Sequence, residues 1–183
     1  MSLSLFTIES NGGPLICLEA KLASLWQGND ALSVGDSAAG VTTDYDRACA
    51  IKGYSGIVGL KGAVALILWG MPLPTNIWRD KSGVTYLARW IYRELDNDVA
   101  ATLSKATDLP FDDPRESLDF AIASSPMIVF DSACRSDEIG TITDSLTFEL
   151  APGRYRILTK EMNPDKNTSF ILHKFCRIEE TSS

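Results

Sequence analysis

The chain has 183 residues, of which 45% are hydrophobic and 22% are charged, and this fits one globular domain with a single core. Lys and Arg number 17 against 24 Asp and Glu, so the formal net charge is −7. This excess of acid argues against nucleic acid or an anionic membrane as the partner, because both need clustered basic residues. It is compatible with a basic protein partner.

The cysteines and the apolar runs indicate a cytoplasmic protein. No two cysteines are spaced as a CxxC or zinc-type pair, and we expect all of them to be reduced and structural. They are Cys17, Cys49, Cys134 and Cys176. The N-terminal residues lack the basic region and the long apolar run of a secretory signal. The apolar run from Ile57 to Trp69 is interrupted by Lys61 and is too short to span a membrane.

The first quarter of the chain alternates short apolar runs with turn residues. Leu5 to Ile8 and Leu15 to Leu18 are predicted strands, and the turn from Asn11 to Pro14 favours a hairpin between them. Glu19 to Trp26 has the apolar spacing of a short amphipathic helix. Asn29 to Thr43 is small and polar, which predicts a surface loop.

The stretch from Gly56 to Tyr92 is the most apolar part of the chain, and we expect the core to be built on it. Ile57 to Leu60 and Ala63 to Trp69 are predicted strands, joined by a tight hairpin turn at Lys61-Gly62. Val84 to Tyr92 has apolar residues on both faces, which predicts a central strand. We expect it to lie beside the preceding apolar run.

The remaining chain predicts one helix and then only strands. Residues 96–106 predict a helix, with Asp96 as its N-cap and Asp98 at the positive end of its dipole. Five strands follow: Leu118–Ala123, Met127–Phe130, Leu146–Leu150, Tyr155–Lys160 and Ser169–Phe175. Residues 151–153 predict a hairpin turn between the third and fourth of these strands, and residues 163–167 predict a longer turn between the last two.

These elements predict an α+β fold with a mainly antiparallel sheet, open or barrel-like, and two flanking helices. We expect a single domain over residues 1–183. Ile8 to Leu18 and Ile122 to Phe130 are similar strand-turn-strand units. This similarity leaves open a division into two related β-halves, about 1–93 and 117–183, joined by the helix.

A search for catalytic and metal-binding patterns finds no nucleophile elbow, phosphate loop or dinucleotide fingerprint. His173 is the only histidine and lies in a predicted strand, where a structural role is the more common one. Asp44 and Asp46 share one side if their segment is extended, as acid–base or metal chemistry requires, but Arg47 beside them favours a surface charge cluster. The following segment, Ala48 to Ile51, is a strand or a helical turn, with the strand favoured. We expect no cofactor and no metal.

Trp78 follows a proline-rich break and lies beside Arg79 and Asp80 in a predicted loop. An exposed tryptophan rimmed by charges suits a protein interface. A half-buried tryptophan is the alternative.

Several short motifs occur in order along the chain. In the first half they are Glu9-Ser10-x-Gly12-Gly13-Pro14-Leu15, Trp26-x-Gly28, Asp44-Tyr45-x-Arg47-Ala48-Cys49, Gly56, Ala65-Leu66-Ile67-Leu68 before Pro72, Pro74 and Thr75, and Arg89-Trp90. In the second half they are Pro152-Gly153-x-Tyr155-Arg156 and Thr168-Ser169-x-x-Leu172-His173. Together, over about residues 6–175, they resemble immunity protein family 21 of bacterial polymorphic toxin systems.

The resemblance implies a small cytoplasmic protein that binds a cognate toxin and blocks its active site without catalysis of its own. Acidic loop residues and Trp78 would then face the toxin. The predicted contact residues are Asp30, Asp36, Asp44, Asp46, Trp78, Asp137, Glu138 and Asp144. The alternative is an enzyme that reverses a toxin's modification or acts on a small molecule. Its best residues would be Asp44, Asp46, Arg47 and His173.

Overall fold

A computed structural model describes residues 6–30, 43–94 and 98–179. Its strands are β1 Leu15–Glu19, β2 Ser55–Leu60, β3 Ala63–Leu68, β4 Thr75–Arg79, β5 Thr85–Arg93, β6 Glu116–Ile122, β7 Met127–Asp131, β8 Ser145–Phe148, β9 Gly153–Asp165 and β10 Thr168–Arg177. Its helices are α1 Asp44–Cys49 and α2 Val99–Thr107, with short 3-10 helices at Ala20–Leu25 and Ser136–Glu138.

The strands form two five-stranded sheets that face each other. The first sheet has the order β2-β3-β1-β7-β8, and the second has the order β4-β5-β10-β9-β6. Every strand pairing in both sheets is antiparallel. Strand β2 contacts β6 and β4 contacts β8 across the two sheets. The predicted α+β fold with a mainly antiparallel sheet is therefore confirmed, and the sheets do not close into a barrel.

The apolar side chains form three layers. Leu87 and Val129 belong to the layer between the two sheets. Trp26 and Ala48 cover the outer face of the first sheet, because the first 3-10 helix and α1 pack there. Leu103 of α2 covers the outer face of the second sheet. The helices therefore close the two outer faces, and the space between the sheets holds the central core.

Local turn chemistry explains the hairpins. Gly62 has a φ of 77° and Gly83 a φ of 86°, a region that favours glycine, and they close the β2–β3 and β4–β5 turns. The predicted hairpin at Lys61-Gly62 is confirmed. The predicted pairing of the last two strands is also confirmed, although β9 extends to Asp165 and leaves a shorter turn.

The predicted pairing of the first two strands is wrong. Ile8 forms an isolated bridge with Thr75 instead of a hairpin with β1, while Leu5 lies outside the described residues. Strand β1 is buried along its whole length and pairs with β3 and β7. A strand in the middle of a sheet takes its partners from distant parts of the chain, and local turn residues do not reveal them.

Two connections cross between the sheets where sequence reasoning predicts neighbours. Strands β3 and β5 lie in different sheets and are not adjacent, because Pro72 and Pro74 interrupt the ladder between them. Residues 151–153 likewise carry the chain from β8 in the first sheet to β9 in the second, so the predicted hairpin there is wrong.

Helix α1 replaces the strand predicted at Ala48–Ile51. Thr43 and Asp46 form a capping box, in which Thr43 Oγ1 accepts from the Asp46 amide at 3.0 Å and Asp46 Oδ2 accepts from the Thr43 amide at 2.9 Å. The first backbone amides of a helix have no partner within the helix, and these side-chain bonds supply one. The capping box therefore favours a helix over a strand here. The helix predicted at 19–26 is present as a 3-10 helix after β1.

Helix α2 confirms the helix predicted at residues 96–106. Its N-cap is Asp98 and not Asp96, since Asp98 Oδ1 accepts from the Ala101 amide at 3.1 Å. Asp96 itself lies outside the described residues.

Backbone hydrogen bonds join the residue after β1 to the turn before β7, and the residue after β7 to the turn before β1. The Ala20 amide donates to the Pro126 carbonyl at 2.8 Å, and the Ser132 amide donates to the Pro14 carbonyl at 3.1 Å. The two bonds occupy equivalent positions in the two halves, because residues 14 and 126 are separated by the same number of positions as residues 20 and 132.

Buried carboxylates repeat the pattern. Glu19 Oε1 accepts from the Ala123 amide, and Asp131 Oδ2 accepts from the Asn11 amide, both at 2.7 Å. Residues 11 and 123 are separated by the same number of positions as residues 19 and 131, and as the pairs in the preceding paragraph. This recurrence supports the two related β-halves, which stay a prediction.

We expect Glu19 to make stability depend on pH. Burial alone would raise the pKa of Glu19, but bonds from Ala123 and Ser124 and the ion pair with Lys21 lower it below its ordinary value of 4.5. The carboxylate therefore stabilises the fold above about pH 4.5, and this contribution is lost as the pH falls further. Glu19→Gln should lower the free energy of unfolding by about 1–3 kcal/mol at pH 7.

Urea denaturation between pH 7 and pH 3.5 would measure this effect. Glu9→Gln, at an exposed position, is the matched control and should follow the wild type. If Glu19→Gln lost stability on acidification as steeply as the wild type, the role assigned to Glu19 would be wrong.

Candidate functional site

The predicted contact residues near α1 have structural roles. Asp44 is only 4% exposed, and its carboxylate binds Arg47 at 3.1 Å and accepts from the Gln27 amide at 3.0 Å. Asp46 caps α1, so the two acids do not share one side of a strand as predicted for an extended segment. Asp36 lies outside the described residues.

Three further predicted acids gather around Arg135. Asp30 lies 3.1 Å from Arg135 Nη1, and Asp137 lies 3.0 Å from its Nε. Glu138 accepts from the backbone amide of Arg135 at 2.7 Å. Asp30 and Asp137 are exposed, so their ion pairs with Arg135 contribute little to stability. The more distant predicted contact Asp144 is exposed as well.

Trp78 lies in β4 and not in a loop. Its ring is half-buried against α2, and its Nε1 donates to Thr107 Oγ1 at 3.3 Å. The short strand was missed because Pro72 and Pro74 precede it closely.

A cleft of about 380 Å³ opens between the sheets where β2 and β6 begin and β3 ends. Its walls come from five separate parts of the chain and are mainly apolar. They are Lys52, Gly53, Tyr54, Trp69, Gly70, Met71, Leu73, Ile91, Glu116 and Ile171.

Large apolar side chains that face solvent converge on this cleft. Trp69 is 40% exposed, Met71 72% and Ile91 42%, and all three line it. The other exposed large apolar side chains among the described residues do not line it, and they are Phe6, Leu25, Tyr92, Leu109 and Ile142. Single exposed apolar residues are common, but several around one cavity indicate an interaction site.

A buried arginine holds the turn that carries two of these residues. Arg89 Nη1 donates to the Trp69 carbonyl at 2.6 Å, and Nη2 donates to the Met71 carbonyl at 3.1 Å. Arg89 is fully buried, and loss of hydration lowers its pKa to about 10. Gly70, at the centre of the turn, has a φ of 116°, which favours glycine.

The indole of Trp69 is fixed although its ring faces solvent. Its Nε1 donates to the Cys49 carbonyl at 3.2 Å, and its backbone amide donates to the Tyr54 carbonyl at 3.0 Å. The exposed ring is therefore held in one orientation.

A chain of polar residues runs inward from the cleft and joins the sheets. The Glu116 carboxylate accepts from the Tyr54 amide at 2.7 Å, the Ser55 amide at 2.9 Å and Ser55 Oγ at 3.1 Å. Ser55 Oγ lies 3.3 Å from Thr159 Oγ1, which lies 2.9 Å from His173 Nδ1. Sequence reasoning missed this chain because it assembles four strands without any local spacing signal.

The polar chain contains a serine, a histidine and a carboxylate, yet it offers no open reaction site. Thr159 and His173 have no exposed surface, and Ser55 is buried as well. Within residues 6–30, 43–94 and 98–179, no group of three His, Cys, Asp or Glu could hold a metal ion. In the same ranges, no helix has the length and apolarity to cross a membrane.

His173 should make the fold sensitive to mild acid. Burial and the charge of Arg89 hold its pKa well below the ordinary value of 6.5. The unfolded chain takes up a proton below pH 6.5 and the folded chain does not, so the free energy of unfolding should fall there, by at most about 1.4 kcal/mol per pH unit. Because His173 is the only histidine, a fall between pH 6.5 and pH 5.5 can be assigned to it.

His173→Asn, which can keep a bond to Thr159, should remove this slope in urea denaturation. Glu9→Gln is again the control. An unchanged slope in His173→Asn would show that another group causes the loss.

In a comparison with known protein families, residues 7–168 match the family described as immunity protein 21. No curated protein and no solved structure matched the chain. The family match agrees with the resemblance carried by the ordered motifs. Because it covers most of the 183 residues, the chain belongs to the immunity protein 21 family.

Proposed function

We propose that this immunity protein binds a cognate interbacterial protein toxin in the cytoplasm and neutralises it by covering the toxin's active site. The observation that carries the proposal is the family match over residues 7–168. The fold is compatible with this role, because Ser55, Thr159 and His173, which could suggest catalysis, are buried and bonded to one another.

The net charge of −7 would attract a basic toxin. Such attraction raises the association rate more than the affinity, and it is screened beyond about 8 Å at physiological salt. Of the predicted contact acids, Asp30, Asp137 and Asp144 are exposed and remain proposed contacts. Asp44 and Asp46 would act indirectly, by holding α1.

Catalysis has less support than binding. The residues named for an enzyme are Asp44, Asp46, Arg47 and His173. Asp44 and Arg47 bind each other, Asp46 caps a helix, and His173 is fully buried. The proposal needs no cofactor, and its partner is a protein toxin and not nucleic acid or a membrane.

The test is a rescue and binding experiment with the toxin encoded beside this gene. Co-expression should restore growth, and the purified proteins should elute as a stoichiometric complex in size-exclusion chromatography. The association rate should fall about tenfold or more when salt is raised from roughly 50 to 500 mM.

Asp144→Asn combined with Asp137→Asn should lower the association rate and leave the dissociation rate nearly unchanged. Glu9→Gln combined with Glu179→Gln, which removes two exposed acidic charges elsewhere, is the control. Protection of cells without any complex would contradict neutralisation by binding and favour the enzyme.

A further inference from the structure

We propose that the cleft between the sheets receives one large apolar side chain, aromatic or branched aliphatic, from the surface of a basic toxin. This inference rests on the proposed function and names the point at which the toxin docks. It places the main contact at Trp69, Met71 and Ile91 and not at the acidic residues around Arg135.

The lining of the cleft argues for an apolar guest. Glu116 is its one acidic group, and this carboxylate already accepts three hydrogen bonds from Tyr54 and Ser55. Lys52 is its one basic group. A cationic side chain that entered the cleft would lose its hydration, and the Glu116 carboxylate would not be free to pair with it. Such a burial of charge is costly. An apolar guest loses only unfavourable contact with water.

The shape of the cleft argues for a side chain on a protein. Its volume of about 380 Å³ is near the lower end of small-ligand sites, which span about 300–1,000 Å³. Trp69 and Met71 project from its rim into solvent. A small molecule within the cleft would leave that rim wet, whereas a protein surface around an inserted side chain would cover it. Such central pockets with a covered rim are where binding energy concentrates in protein interfaces.

Charge argues for a basic toxin rather than a second copy of this chain. Two copies would each carry a net charge of −7 and would repel. A partner of opposite charge gains from the same field.

The rim is organised before any partner arrives. Arg89 holds the carbonyls on both sides of Gly70, and the Trp69 indole is bonded to the Cys49 carbonyl. Binding therefore orders few new side chains, and such preorganisation increases affinity.

The test compares cleft variants by calorimetry against the purified toxin encoded beside this gene. Trp69→Ala should weaken binding about 30-fold or more, as expected where a tryptophan covered by the partner is a hot spot of the interface. Met71→Glu, at a position that is 72% exposed, should weaken it about tenfold or more without disturbing the fold. Leu109→Ala, 45% exposed, outside the cleft and outside the loop that carries the proposed acidic contacts, should bind like the wild type. Thermal unfolding would confirm that each variant is folded.

The outcomes separate this inference from the proposed function. If the wild type binds the toxin and both cleft variants bind equally well, the docking point is wrong and the proposed function stands. If the wild type does not bind the toxin, the proposed function fails. Self-association that Trp69→Ala abolishes would show that the cleft takes a second copy. A co-purifying apolar compound that Trp69→Ala releases would show a small ligand. Either of these two results would overturn the inference.

Discussion

The pairing of β1 with β7 is the contact on which the rest of the structure depends. It joins residues more than 100 positions apart, and Glu19 and Asp131 extend it by binding the turn of the opposite half. Without it the first sheet would divide into the three strands β2-β3-β1 and the pair β7–β8, and an isolated strand pair is marginally stable in water. The same pairing orients the turns that lead to both sheets.

The features predictable from sequence are those that neighbouring residues decide. The glycine at Gly62 indicates its hairpin, and the alternating apolar residues after 117 indicate their five strands. Long-range pairing is different, since Ile8 meets Thr75 and not the adjacent strand. The family could be inferred from its ordered motifs. The cleft could not, because Trp69, Ile91 and Glu116 come from three strands or their ends that only the fold brings together.

Alternate residues of β10 face the space between the sheets, and the side chains that fill this space change from aromatic to polar along the strand. Phe175 meets Phe148 and Tyr155, with ring centroids 5.8 and 6.5 Å apart. His173 continues the polar chain, and Ile171 lines the cleft. Apolar rings therefore fill one end of this space, while polar bonds hold the sheets together beside the open end. The aromatic packing between the sheets ends at the polar chain, and the cleft lies beyond it.

The open end costs stability that a filled end would not. Arg89 is buried without a carboxylate partner among the described residues, and its Nε has no hydrogen-bond partner there. Burying a charge without a partner of opposite sign costs free energy, so stability of the core does not explain this arginine. What the arginine does provide is a fixed turn beneath Trp69 and Met71. A residue can cost stability and still fix an exposed surface. Such residues are expected where a protein meets its partner. The cleft, and not the acidic surface, is therefore where we expect the affinity of this protein to reside, with the net charge setting how fast the partner arrives.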